Sequence, residues 1–194
     1  MAINLPERIF FTGAPGSRWS GIAQTLETMD GMNTSDRTAE REYYHHSYNG
    51  HRGAYFGPGM EFEPLLDVDY IDKAWCDPKG CKIVKSHEWS YVLSNIKCSF
   101  HKDWIMMVYR PDMSSYGWWH EAGGFQIKYP NYSAYKNSPN MMSEIVKQNN
   151  AILEFGMKHN CKWEYFTYDW VYDNFDQEVK IDTVRPDILV TLLK

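Results

Sequence analysis

Residues 10–22, FFTGAPGSRWSGI, join an apolar run (Ile9, Phe10, Phe11) to the amphipathic residues Ile22, Leu26 and Met29 through a loop rich in glycine and hydroxyl groups. That order predicts a strand, a tight loop and a helix N-terminus in succession. Such a loop points backbone N–H groups and the positive end of a helix dipole at one spot, which suits a phosphate or sulfate group. The same turn also occurs without a ligand, so the motif acquires meaning only from its structural context.

The rest of the chain repeats the strand-then-helix pattern. Residues 8–12 read as the first strand and 19–29 as the first helix. Residues 64–74, PLLDVDYIDKA, fit a short helix, KIVKSH at 82–87 a buried strand running into polar residues, and 88–96 a helix. WIMMVYR at 104–110 is nearly all apolar, the pattern of a strand covered on both faces of a parallel sheet. Residues 112–120 read as helical. MMSEIVKQNNAILEFGMKH at 141–159 is the clearest amphipathic helix, with Met142, Ile145, Val146, Asn149, Ile152, Leu153 and Met157 near one face. CKWEYFTYDWV at 161–171 reads as a further strand. Strands alternating with helices predict an α/β fold: one domain over residues 1–194, with a central, mainly parallel sheet flanked by helices. Two stretches lack periodicity, a loop-rich insert at about 33–60 and the Gly/Tyr/Pro/Asn-rich segment 123–139. Ligands of such sheets sit at the carboxyl ends of the strands. The loops after strand one, after KIVKSH and after WIMMVYR all lie there.

Composition narrows the ligand. A length of 194 residues with 43% hydrophobic residues suffices for one compact domain. The net charge of −5 argues against a general nucleic-acid or anionic-membrane surface, so a phosphate must be met by a local basic site. Cys76, Cys81, Cys98 and Cys161 lack zinc-site spacing and read as reduced, mostly buried thiols. The start MAINLPERIFF has neither the apolar run of a signal peptide nor that of a membrane anchor, and a cytoplasmic location is expected. No metal is expected either, because the histidines have no supporting Cys or carboxylate pattern.

The loop is not a Walker A sequence. Counted from Gly13, Arg18 stands at the second glycine and Trp19 at the lysine, and only Ser20 fits. WIMMVYR ends in arginine where an NTPase often needs a carboxylate for Mg²⁺. Instead, GAPGSRWSGI resembles the phosphosulfate-binding loop of sulfotransferases that use 3′-phosphoadenosine 5′-phosphosulfate (PAPS). Pro15, Ser17 and Ser20 match that loop, Gly16 occupies its basic position, and Arg18 can supply the charge from two residues on. Lys85-Ser86-His87 resembles the Lys-Thr-His element of cytosolic-type members. The resemblance implies that His87 takes the proton from the acceptor hydroxyl and that Lys85 contacts the transferring sulfuryl group. VYRPDMSSYGWW at 108–119 resembles the family's 3′-phosphate segment, which implies that Arg110 grips the 3′-phosphate and that Ser114 or Ser115 adds a hydroxyl. Tyr168-Asp169 resembles the end of a late family strand.

The implied fold is P-loop-like, and the implied activity is metal-free transfer of a sulfuryl group from PAPS to an acceptor hydroxyl or amine, leaving 3′-phosphoadenosine 5′-phosphate (PAP). Gly13, Pro15, Gly16, Ser17, Arg18, Trp19 and Ser20 would surround the phosphosulfate, with Trp19 packed on the nucleotide or on the sheet. Trp118, Trp119 and His120 with Tyr129, Tyr132 and Tyr135, or Tyr43, Tyr44, His45, His46 and His51, could line an acceptor or adenine pocket. Aromatic platforms suit sugars, phenols and bases alike, so a small-molecule or carbohydrate acceptor is expected without further identity. The alternatives are a non-catalytic nucleotide-binding protein of the same fold and a degenerate P-loop kinase.

Overall fold

The computed structural model describes residues 4–36, 65–126 and 136–194. Six strands form one mixed sheet in the order β2-β3-β1-β4-β6-β5. They are β1 (Arg8–Gly13), β2 (Met32–Asn33), β3 (Cys81–Lys85), β4 (Trp104–Tyr109), β5 (Glu164–Tyr165) and β6 (Leu189–Leu193). β1, β2, β3 and β4 pair in parallel, whereas β6 runs antiparallel to both β4 and β5. The helices are α1 (Trp19–Leu26), α2 (Val68–Asp72), α3 (Leu93–Ser99), α4 (Asp112–Glu121), α5 (Ser138–Lys158) and α6 (Tyr168–Phe175), and a 3₁₀ turn spans His87–Tyr91.

Side-chain alternation along the strands explains why both faces are covered. Ile9, Phe11, Trp104, Met106 and Val108 share one buried cluster with Trp19 and Leu26 of α1 and Trp170 and Phe175 of α6. Their neighbours Phe10, Ile105 and Met107 share another with Leu93 and Ile96 of α3 and Ile152 and Phe155 of α5. The continuous apolar run 104–109 therefore faces protein on both sides. At the carboxyl end of the strands, Ala14 and Trp119 meet Met141 and Ile145 in a third cluster, which fixes α4 against α5.

Several expectations need correction. The sheet is mainly parallel, as expected, but not wholly so: the largely apolar residues 189–193 add one antiparallel strand that the alternating pattern does not announce. Of CKWEYFTYDWV only Glu164–Tyr165 is strand. Thr167 accepts a hydrogen bond from the Trp170 amide and starts α6, so Tyr168 and Asp169 open a helix instead of ending a strand. α1 stops at Leu26, yet Met29 still reaches the core. The buried stripe of α5 is rotated from the expected face: Met141, Gln148 and Phe155 point inward while Met157 is exposed. All four cysteines are free thiols, but only Cys81 is buried, and Cys76 and Cys98 are exposed. Most of the insert at 33–60 lies outside the described residues, with Tyr43, Tyr44, His45, His46 and His51, as do Tyr129, Tyr132 and Tyr135. Among the described residues no helix is long and apolar enough to cross a membrane.

Candidate functional site

The loop between β1 and α1 is drawn tightly against α4. Gly16 has φ +78°, and a Cβ there would lie 1.9 Å from the Ser115 carbonyl oxygen. Position 16 therefore has no room for the basic side chain seen in the sulfotransferase loop. The Gly16 carbonyl accepts a hydrogen bond from an Arg110 NH at 3.2 Å. The Ser17 amide closes the turn onto the Ala14 carbonyl at 3.0 Å, while the buried Ser17 hydroxyl has no partner among the described residues. Gly13 and Pro15 are buried beneath it, and Ser20 is half-buried in the first turn of α1. Arg18 precedes α1 in the left-handed region, φ 64°, and this turns its side chain toward α4.

Three arginines converge there. Arg18 lies 4.4 Å, Arg110 5.7 Å and Arg185 5.8 Å from the Trp118 ring. Among the described residues one carboxylate ion-pairs with any of them: Asp187 accepts from Arg110 Nε at 2.6 Å. At the opposite end of the sheet, by contrast, a single arginine, Arg8, meets Glu7, Asp72 and Asp103. Burial lowers the Arg18 pKa, and repulsion from Arg185 and Arg110 lowers it further, with Asp187 opposing. Three like charges around one ring cost energy that a bound dianion would relieve.

The antiparallel strand is what brings Arg185 and Asp187 here. β6 starts where β4 ends, with Tyr109 opposite Leu189, so the residues before β6 lie beside those after β4. Sequence reasoning limited to parallel strands missed both residues. A signal was present: Arg110-Pro111-Asp112 recurs as Arg185-Pro186-Asp187.

His87 sits on the other side of the loop. Its ring is 3% exposed and lies 4.5 Å from the Trp19 ring, which also stacks on Phe11. His87 Nδ1 hydrogen-bonds the Gly13 carbonyl. A carbonyl only accepts, so Nδ1 carries the proton and Nε2 the lone pair. Burial pushes the His87 pKa down to about 4, against the Gly13 bond and the Glu144 carboxylate, which favour the charged form. The imidazole is therefore neutral at pH 7, and the same burial makes it a weaker base than an ordinary imidazole.

Lys85 is engaged elsewhere. Its ammonium lies 2.6 Å from a Glu27 carboxylate oxygen, and the two side chains are 3% and 5% exposed. Ser115 also has a different task from the one expected. Its hydroxyl is fully buried and donates to the Arg110 carbonyl at 3.1 Å, as does the Asn149 amide at 2.8 Å. It fixes the backbone of Arg110 at the start of α4, while Ser114 is half-buried on the next position round.

A cavity of 230 Å³ opens beside Arg18 and Arg185, with walls from Gly21, Ile22, Thr25 and Ile181. Its lining mixes the apolar Ile22, Ile181 and Ile188 with Arg18, Lys180 and Arg185 and with the carboxylate residue Asp182. No group of three or more His, Cys, Asp or Glu residues among the described ones is placed to hold a metal ion. Fold and site together define an α/β protein with a six-stranded mixed sheet and an arginine-rich cleft at the ends of its parallel strands. No protein-family model, no curated protein and no solved structure matches the chain.

Proposed function

We propose that the chain is a sulfotransferase that moves a sulfuryl group from PAPS to an acceptor hydroxyl or amine. The observation that carries this reading is the convergence of Arg18, Arg110 and Arg185 on Trp118, across the 13–20 loop from the neutral His87. A co-substrate with phosphate groups at two positions needs more than one cationic grip, and this cleft supplies several. The orphaned hydroxyl of Ser17 fits the same ligand, because a phosphate oxygen would give it a partner. The adjoining cavity suits the nucleoside, with Ile22 and Ile181 offering apolar surface to a base.

In this reading His87 Nε2 accepts the acceptor's proton as the new S–O bond forms, and PAP leaves with the electrons of the broken S–O bond. The Gly13 carbonyl holds the ring and steadies the imidazolium. Arg18 offsets charge on the leaving phosphate, a duty that falls to it because Lys85 is paired with Glu27. Arg110 and Arg185 hold the 3′-phosphate. The test is transfer from radiolabelled PAPS to a mixed panel of phenols, alcohols and sugars. Labelled product from the wild-type chain and none from His87→Ala supports the proposal, whereas equal transfer by both refutes the role of His87.

The Lys85–Glu27 pair favours one second reading, a nucleotide-binding protein without turnover. It predicts PAP binding with no transfer to any acceptor. A kinase is disfavoured, because Trp19, at the position of the Walker lysine, is buried against Phe11 and His87.

A further inference from the structure

Among the described residues the guanidiniums of Arg18 and Arg185 donate no hydrogen bond, and neither has a carboxylate within ion-pair distance. Each has the Trp118 ring instead, 4.4 Å from Arg18 and 5.8 Å from Arg185, with Arg110 at 5.7 Å. Arg110 differs, since Asp187 takes its Nε and the Gly16 carbonyl its NH1. Trp118 and Trp119 are neighbours on α4, about 100° apart round the helix, so one ring fills the core while the other lines the cleft. Trp119 is buried with Ala14 and Met141, whereas Trp118 is half-buried. The backbone serves the same arrangement. Arg18 stands at φ 64°, in the left-handed region that a residue with a Cβ seldom enters, and its guanidinium lies over Trp118.

Three cations repel one another, and Arg18 feels both of the others. An indole ring attracts cations through its negative face, yet it aims no lone pair at an N–H. It therefore gathers arginines without occupying their donors, as a carboxylate would. Each guanidinium carries five N–H donors in a fork that matches phosphate oxygens.

We propose that Trp118 is the positioning residue of the cleft: its ring holds Arg18, Arg110 and Arg185 together before the ligand arrives and leaves the donors of Arg18 and Arg185 free for phosphate oxygens. The proposal rests on the anion cleft of the sulfotransferase reading, and Trp118 acts on the ligand through the arginines. Cations placed in advance lower the ordering cost of binding, so the electrostatic strength of the ring passes into affinity.

The test replaces Trp118 alone with mono-, di- and trifluorinated tryptophan in the full chain. Fluorine withdraws charge from the ring face and leaves size and packing nearly unchanged, so a purely structural role gives no trend. Calorimetry measures binding of PAP and, as a probe without the nucleoside, of inorganic pyrophosphate. Affinity for both is expected to fall stepwise with fluorine number, about three-fold or more at the trifluorinated ring. Trp118→Leu should lose about five-fold or more, and Trp118→Phe, which keeps an aromatic face, should recover part of it. Affinity independent of fluorine number, or a folded Trp118→Leu that binds like wild type, overturns the proposal. Pyrophosphate binding that follows the fluorine series without any PAP binding removes only the sulfotransferase reading. PAP binding indifferent to the series removes only the role of Trp118, and binding of neither ligand removes both.

Discussion

Arg110 Nε and Asp187 Oδ2 meet at 2.6 Å because β4 and β6 run in opposite directions. The end of one strand and the start of the next thereby share an edge of the sheet. The contact orients the guanidinium, and its NH1 reaches back to the Gly16 carbonyl. One arginine thus ties the loop, α4 and the segment before β6 into a single cleft.

Arg110→Ala is expected to weaken PAP binding about ten-fold or more, and Arg185→Ala to act in the same direction. Calorimetry with purified variants measures both. Unchanged affinity in Arg185→Ala would detach the segment before β6 from the site, whatever Arg110 does.

Gly16→Ala tests the close approach of the loop to α4. The added methyl meets the Ser115 carbonyl oxygen at 1.9 Å, and the backbone sits at φ +78°. The left-handed conformation and the overpacking together should cost about 2 to 5 kcal/mol. Urea unfolding reads this directly, and a midpoint equal to wild type would mean that the loop relaxes freely.

The buried His87 predicts an acid sensitivity of stability. Its folded pKa of about 4 lies below the ordinary value of 6.5, so the unfolded chain takes up the proton first as pH falls. The contribution is intact above pH 6.5 and is lost progressively on the way down to about pH 4. Across that window the loss amounts to about 3 kcal/mol. The stability difference between wild type and His87→Asn should shrink by that order over the same range. A difference that stays constant with pH would show that His87 titrates normally.

Lys85→Met separates a structural from a catalytic role. It removes the cation from a carboxylate that is 5% exposed, so a stability loss of about 3 to 5 kcal/mol is expected. PAP affinity should change little, because the ammonium is engaged with Glu27. A large loss of PAP affinity in a variant that remains folded would instead bring Lys85 into the phosphate site.

Much of the sheet was legible from apolar runs. Phe10, Ile105 and their neighbours are buried on alternate faces, and a continuous run cannot be satisfied any other way. The loop at 13–20 announced itself through glycine and hydroxyl content. Arg185 and Asp187 were announced only by the recurrence of Arg-Pro-Asp; their place beside Arg110 depends on strand direction, which a short run such as 189–193 does not encode. Glu27 was hidden for a related reason: its partner Lys85 is 58 residues away, and nothing local pairs them. Tyr168 and Asp169 misled because aromatic residues fit a strand as readily as a capped helix, and the decisive feature was the hydroxyl of Thr167.

The proposed site is an anion cleft that takes a nucleotide with a 3′-phosphate. The most direct measurement is calorimetric titration of the full chain with PAP, with ADP and with ATP–Mg²⁺. Saturable PAP binding is expected, tighter than that of either control and weakened about ten-fold or more in Arg110→Ala. No PAP binding, or a preference for ATP–Mg²⁺, would contradict it.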